Sequence, residues 1–600
     1  MTLLAKRQER SIVPRMYYIT TAIDYTNGPP HIGHAYEKVL ADVLARWHRM
    51  KGEEVYFLTG VDQHGQKVQQ TAEKLGITPQ EHVNNITGQF LALWDRLGIS
   101  NDGWASTTDP RHKACVQKIL TDLKDKGQLY KKSYKGFYSV RQEQFLTDKE
   151  RDAEGNFGPE WGEVVELEEE NWYFRLTDHV EWMKQFVEKS SDFVLPSFRK
   201  AEVLNAIDFD SDLCISRPKS RLSWGIEFPF DPEFVTYVWF DALINYISFA
   251  GYLAEPDSGL PDFAKLWPAD CEVIGKDILV PAHGVYWPAM LHAMGFSDEE
   301  MPTLLVHGWW NINGEKMSKS IGNVVDPNLL AEQFGPEPVR YYLVRDITTG
   351  KDANFDADRL VMLYNTELAN DLGNLCNRSI NMTRRYCDSV ISGAEAYDDE
   401  ASRALRATMD QAVTLFSKYM DDNMVSDALA ALNAQVSACN AYIEQQQPWQ
   451  LAKDEASASA ACCAICWNAA PRRAISSAAS SLTPPPAFWT SSTPGTCSGA
   501  LRRPRWSGES SPQGTASMSP PPSFPAFFRM RKRPNWLKKR PGRQKNKADS
   551  RELPRILRQI PAGPMLPGRH LRVGGLPRRA QRGAAPGAGC RGGSGEMDSL

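Results

Sequence analysis

From Tyr17 onward the chain alternates two hydrophobic patterns. Tyr17-Tyr18-Ile19-Thr20-Thr21 opens an apolar, β-branched run that continues through Ala22-Ile23-Asp24-Tyr25 and breaks at Asn27-Gly28-Pro29-Pro30. Beyond the break Ala35, Val39, Asp42, Val43 and Trp47 recur at helical spacing. Run, break and helical spacing predict a strand, a tight turn and a helix. A second apolar run, Glu54–Val61, ends in Asp62-Gln63-His64-Gly65 and leads into amphipathic patterns through Lys67–Leu75 and about Pro79–Leu97. Alternating strands and helices predict an α/β fold with a doubly wound parallel sheet, in which ligands bind beyond the carboxyl ends of the strands. Tyr25, His31, His34, Asp62 and His64 all fall at such ends.

The pattern then changes. A helix over 111–126 leads to the hairpin-like segment Lys131–Val140, a glycine-containing loop at Asp152–Gly162 and the acidic run Glu163–Glu170, which together read as an insertion packed beside the sheet. The sheet is expected to resume at Thr236–Tyr246 and again at Glu272–Val280, with His283 just before a helix at Trp287–Met294. Leu304–Asn323 reads as a hairpin followed by a loop in which Lys316 and Lys319 flank Met317-Ser318. From Asp326 the chain turns helical. Its apolar stripes are Leu363, Leu368, Leu372, Leu375; then Leu405, Met409, Val413, Phe416; then Leu429, Leu432, Val436.

Length changes the picture first: 600 residues exceed one core and imply several domains. No apolar run has the ~20 residues of a membrane span, and Met1–Arg10 is followed by no apolar segment of the secretory kind. Cys115, Cys214, Cys271, Cys376, Cys387 and Cys439 are scattered without paired spacing, as suits a reducing compartment, and a cytoplasmic location is expected. The net charge of −4 conceals two opposed halves: residues 455–600 carry 24 Lys and Arg against 6 Asp and Glu, leaving 45 basic and 67 acidic residues in 1–454. In 455–600 neither helical nor strand periodicity survives among the Arg, Pro, Ser and Gly strings, so this stretch is expected to be a disordered basic tail.

The chemistry concentrates at two places. His31 and His34 stand three residues apart at a predicted helix start, with Gly33 between them, where N–H groups and the positive dipole end favour an anion. Lys316 and Lys319 in a glycine- and serine-containing loop can close on phosphates as point charges. Together His31-Ile32-Gly33-His34 and Lys316-Met317-Ser318-Lys319-Ser320 resemble the paired signatures of class I aminoacyl-tRNA synthetases. Ala22-Ile23-Asp24-Tyr25, Gly60-Val61-Asp62-Gln63-His64-Gly65, Tyr237–Ala242 and His283–Leu291 make 16–454 resemble the methionyl-tRNA synthetase family in particular.

The resemblance implies a methionine–tRNA ligase that makes methionyl-adenylate from methionine and Mg-ATP and then charges initiator and elongator methionine tRNA. It implies a Rossmann-like catalytic domain at 16–117 and 231–325, after an extension at 1–15. A connective insertion occupies 118–230, a connecting domain 326–360 and an all-α anticodon-binding domain 361–454. By the same resemblance His31, Gly33, His34, Lys316, Met317, Ser318 and Lys319 serve ATP, with His31, His34, Lys316 and Lys319 acting on its phosphates. Ile23, Tyr25, Asp62, Trp239, Ala242, Tyr246 and His283 hold methionine, Asp62 taking its ammonium. Asn374, Arg378 and Trp449 read the anticodon.

Two departures accompany the match. Pro281-Ala282-His283 stands where relatives have Phe-His, with one residue extra and the aromatic absent. No cysteine lies between Tyr130 and Leu213, so the insertion resembles a knuckle that has lost its zinc ligands, and no structural zinc is expected. Apolar contacts of Phe137, Tyr138, Phe145 and Trp161 are expected to hold it instead. The resemblance stops after Asp454. Residues 455–600 are then either a basic RNA-binding tail or the product of a lost reading frame, and in the second case the chain could be an inactive, tRNA-binding product.

Overall fold

The computed structural model describes residues 15–139, 144–146, 150–152, 154–312, 314–317, 324–386 and 399–454. Its centre is a seven-stranded sheet in which every pairing is parallel. Asp24–Tyr25 and Gly103–Ser106 both pair with Val55–Asp62, and the order continues through Tyr17–Thr21, Cys271–Gly275 and Leu304–His307 to Val194–Leu195. From Tyr17–Thr21 the chain reaches Val55–Asp62 on one side and Cys271–Gly275 on the other. That reversal opens a crevice at the carboxyl end of the first strand.

Strand alternation sends neighbours to opposite faces. Ile19 and Phe57 join a core with Val39, Val43 and Trp47 of the helix Ile32–Met50, whereas Tyr18 and Leu58 join one with Ile119 and Leu123 of the helix Pro110–Asp125. The helix Pro79–Leu97 has the expected bounds because Thr78 and Glu81 form a reciprocal capping box and Gly98 ends it at φ +66°.

The acidic run forms most of a strand. Val164–Phe174 pairs antiparallel with Leu129–Ser139 over its whole length. Glu166, Glu168 and Glu170 occupy its exposed alternate positions, and Glu166 and Glu170 meet Lys135 and Lys131 across the pair. In the adjoining loop the guanidinium of Arg151 lies 4.8 Å from the Phe137 ring and 4.3 Å from the Phe157 ring. The Phe145 side chain lies outside the described residues.

The expected strand at Thr236–Tyr246 is a correction. Asp231–Thr236 belongs to a separate three-stranded sheet, and Val238–Leu243 and Asn245–Ser248 are helical. Trp239, Ala242 and Tyr246, spaced three and four apart, fit that helix and put one face toward the crevice. Where the extra residue falls, the segment Leu279–Tyr286 kinks at Val280, whose backbone is extended (φ −120°, ψ 128°), before π-helical turns lead into Trp287–Met294. Such turns take in one residue without shifting the flanking helix.

From Pro327 the structure is almost entirely helical. Glu400–Asp421 and Val425–Gln446 run side by side, with Leu375, Leu405, Val436, Tyr442 and Ile443 in one core. Val413 is 45% exposed and Ala412 is buried in its place, because a true helical period from Leu405 arrives at 412 and Phe416. Among the described residues no helix is long and apolar enough to cross a membrane. The expectations for 1–14 and 455–600 lie outside the described residues.

Candidate functional site

The crevice holds a cavity of about 480 Å³. Ile23, Tyr25, His31, Gly33, His34, Asp62, Trp239, Ala242, Tyr246, His283 and Met317 all line it. Of the residues expected to serve ATP or methionine, only Lys316, Ser318 and Lys319 are not placed there. Ser318 and Lys319 lie outside the described residues, as does the Lys316 side chain; the Lys316 backbone pairs with Asn311.

The helix Ile32–Met50 starts with a capping box built from histidines. Gly33 N–H donates to His31 Nδ1 at 3.1 Å, and His31 N–H donates to His34 Nδ1 at 3.0 Å. The two rings stack 3.7 Å apart. With both Nδ1 atoms accepting, each neutral imidazole carries its proton on Nε2. A Cβ at Gly33 would stand 2.9 Å from Cε1 of His31, so the glycine is required by the stacked histidine itself. No acidic side chain occupies the first turn, leaving the dipole's positive end uncompensated there. Ile32 N–H donates to Val325 O, tying the helix start to the chain just after the lysine loop.

Asp62 ends its strand 6% exposed, and Tyr25 pairs with it in register. The Tyr25 hydroxyl would lie 2.6 Å from a Cβ on Gly65, whose φ of +113° also favours glycine. One residue before Gly65, His64 Nδ1 lies 2.6 Å from Asp241 Oδ2, and His112 Nε2 lies 2.8 Å from Asp241 Oδ1. Burial alone would push the Asp241 carboxyl up, but His64 and His112 outweigh it and hold it down at about 2. This bridge locks the Trp239–Ala242 helix to the strand end that carries Asp62.

Around His283 the cavity turns apolar and neutral. His283 Nδ1–H donates to Ile278 O and its Nε2 receives the Tyr246 hydroxyl, each at 2.8 Å. Burial pushes the imidazole down to about 4 and the Tyr246 phenol well up, so both are uncharged at neutral pH. Trp239 meets the His283 ring edge-on. Despite the altered Pro281-Ala282 sequence, His283 reaches the cavity, and Ile278 lines it nearby.

Sequence reasoning passed over Asp24, Glu37, Asp277, His307, Trp309 and Trp310, which also line the cavity. The signals were present: Glu37 is one turn beyond His34, and Asp277 and His307 stand at or just past the ends of Cys271–Gly275 and Leu304–His307. Asn374, Arg378 and Trp449 lie elsewhere, in the helical part. Asn374 and Arg378 are one turn apart on the helix Gly373–Tyr386, and the Arg378 guanidinium lies 5.9 Å from the Trp449 ring and 2.8 Å from Glu444 Oε1. Among the described residues no group of three or more His, Cys, Asp or Glu is arranged to hold a metal.

Comparison with known proteins agrees with this arrangement. The family described as tRNA synthetases class I (M) matches residues 17–156 and 161–380. The methionine–tRNA ligase of Rhizobium meliloti is 41% identical over 448 residues, 74% of this chain and 85% of that protein. That of Bacillus subtilis is 40% identical over 453 residues, 73% of this chain and 67% of that protein. Mycobacterium tuberculosis methionyl-tRNA synthetase in complex with methionyl-adenylate superimposes with a TM-score of 0.72 at 34% identity, covering 78% of this chain and 92% of that one. Its apo form gives 0.66 at 31% identity, covering 79% and 90%. The chain belongs to the class I tRNA synthetases, in their methionyl branch.

Proposed function

We propose that the protein is a methionine–tRNA ligase, forming methionyl-adenylate and pyrophosphate from methionine and Mg-ATP and passing the methionyl group to the 3′ end of methionine tRNA, initiator and elongator alike. The observation that carries this is one cavity with two opposite walls. A helix start with two Nε2–H donors suits phosphate, and a neutral aromatic pocket beside a buried carboxylate suits an amino acid with an apolar side chain.

In this reading Asp62 holds the methionine ammonium, with Tyr25 above it. Ile23, Trp239, Ala242, Tyr246 and His283 enclose the thioether, which offers almost no hydrogen bonding and is recognised by shape and polarizable contact. The carboxylate then attacks the α-phosphorus, and the bond to pyrophosphate breaks. His31 and His34 stabilise charge on the phosphates, Gly33 keeps the paired rings in place, and Lys316 and Lys319, on the loop with Met317 and Ser318, neutralise the leaving group. Asn374, Arg378 and Trp449 form the anticodon site, with Trp449 available for base stacking. The domain limits set out above and a cytoplasmic location belong to the same reading. No structural zinc is proposed, since no cysteine lies between Tyr130 and Leu213 and the Arg151 guanidinium packs on both Phe137 and Phe157. Stoichiometric zinc in the purified protein would refute that.

Methionine-dependent ATP–pyrophosphate exchange tests the first step, and charging of methionine tRNA the second. Absence of exchange with every amino acid would overturn the proposal. Exchange with methionine but no charging would favour the second reading, in which the altered composition after Asp454 leaves the tRNA step impaired.

A further inference from the structure

Asp24 stands at the carboxyl end of the parallel sheet with one carboxylate oxygen engaged and the other bare. Oδ1 accepts from Lys38 Nζ at 2.8 Å, whereas Oδ2 is buried without a hydrogen-bond partner. The side chain is 4% exposed and lines the cavity. A buried acceptor left unpaired is costly, and in native sites such an atom is commonly waiting for water, ion or ligand.

The surroundings explain why that oxygen has no partner. Lys38 is fully buried, and its ammonium is saturated by Asp24 Oδ1, Glu37 Oε1 and the Ala22 carbonyl. It has no donor left for Oδ2. Glu37 uses its other oxygen on His307 Nε2, at 3.0 Å. One ammonium is therefore shared between two carboxylates, and the acceptor left over is Asp24 Oδ2. Burial pushes the Asp24 carboxyl up against the pull of Lys38, so a donor arriving at Oδ2 would also favour its ionised form.

We propose that Asp24 is a substrate-contacting residue whose Oδ2 accepts a hydrogen bond from an N–H or O–H donor of a substrate in the cavity, with Lys38 as its positioning residue. The inference rests on the proposed function, which supplies two sources of such a donor: the ammonium of the amino acid, and the hydroxyl or amino groups of the nucleotide. Asp24 then differs from a structural ion-pair partner in a measurable way.

Trp239, Trp309 and Trp310 line the cavity, so quenching of tryptophan fluorescence reports binding of methionine and of ATP separately. Asp24→Asn keeps an oxygen for Lys38 and removes the free acceptor. The paired change Asp24→Ala with Lys38→Met also removes the ammonium that would otherwise be stranded, and replaces the single variant if that one does not fold. The expected result is an affinity loss of roughly five-fold or more for one substrate, with the other within about two-fold. A loss for methionine identifies the ammonium. A loss for ATP identifies the nucleotide, and 2′-deoxy-ATP and 3′-deoxy-ATP then separate ribose hydroxyls from the adenine amino group. Wild-type affinity for both substrates in a folded variant, or an equal loss for both, would overturn the role of Asp24. Failure of the unaltered protein to bind either substrate would instead overturn the function on which that role rests.

Discussion

Each of the two histidines at the helix start caps the backbone through Nδ1, His31 accepting from Gly33 N–H and His34 from His31 N–H. That arrangement depends on Gly33. Gly33→Ala would raise intrinsic helix propensity, yet its methyl would meet His31 Cε1 at 2.9 Å and push the ring out of the stack. The expected outcome is an unchanged or slightly higher melting temperature with kcat/KM for ATP in pyrophosphate exchange lowered by about ten-fold or more. His283 makes a second prediction, in pH. Its folded-state pKa of about 4 is below the ordinary histidine value of 6.5, so between these values the unfolded chain binds a proton that the folded chain does not. Stability is thus complete above pH ~6.5 and falls as pH drops toward ~4, by up to about 3 kcal/mol at ~1.4 kcal/mol per pKa unit. Melting temperature followed across this range should show the decline, and His283→Gln should flatten it.

At the scale of elements, Asp241 joins three: its own short helix, the strand end carrying His64, and the helix Pro110–Asp125 carrying His112. Asp241→Asn offers one acceptor in place of two charged ones. It should cost about 3 kcal/mol, visible in chemical denaturation, and raise the KM for methionine by letting Trp239 and Ala242 shift. Nothing in the sequence announced that bridge. What was legible there is local: Thr78 and Glu81 with Gly98 delimit a helix, and apolar runs with breaks delimit the inner parallel strands. The acidic strand Val164–Phe174 was not legible, because its alternation is of charge and its stability comes from lysines on a partner strand. Val238–Leu243 was misread as strand because a largely buried short helix and a buried strand share one apolar pattern. The site was legible where residues sit at strand ends and helix starts. Asp24 and Lys38 were missed because their roles come from mutual burial, which neighbouring residues along the chain do not encode.

At the scale of the molecule, the helix that starts with His31 at the cavity ends against the helical part. Trp47 Nε1 donates to Asp421 at 2.8 Å, Lys51 pairs with the same carboxylate, and Trp47 packs edge-on against Phe416. Nineteen residues of α-helix thus connect the paired histidines with the helix Glu400–Asp421. Asp42, midway along, takes Arg340 and Arg46 on one oxygen and Ser100 on the other, fastening the same rod to the chain that follows the lysine loop. Burial pushes the Asp42 carboxyl up, but the two arginines prevail and keep it ionised. The proposed anticodon residues stand on the far helices and touch none of this. A change there should therefore act on tRNA charging and not on adenylate formation. Trp449→Ala removes a ring that the Arg378 guanidinium overlies and that a base could stack on, an interaction worth about 1–3 kcal/mol per base. The expected fall in kcat/KM for tRNA charging is then roughly ten- to a hundred-fold, with methionine-dependent exchange in the absence of tRNA within about two-fold of wild type. Parallel loss of both activities would mean that Trp449 holds the fold and does not read RNA. If charging were untouched while exchange remained normal, tRNA recognition would have to lie on another surface of the chain.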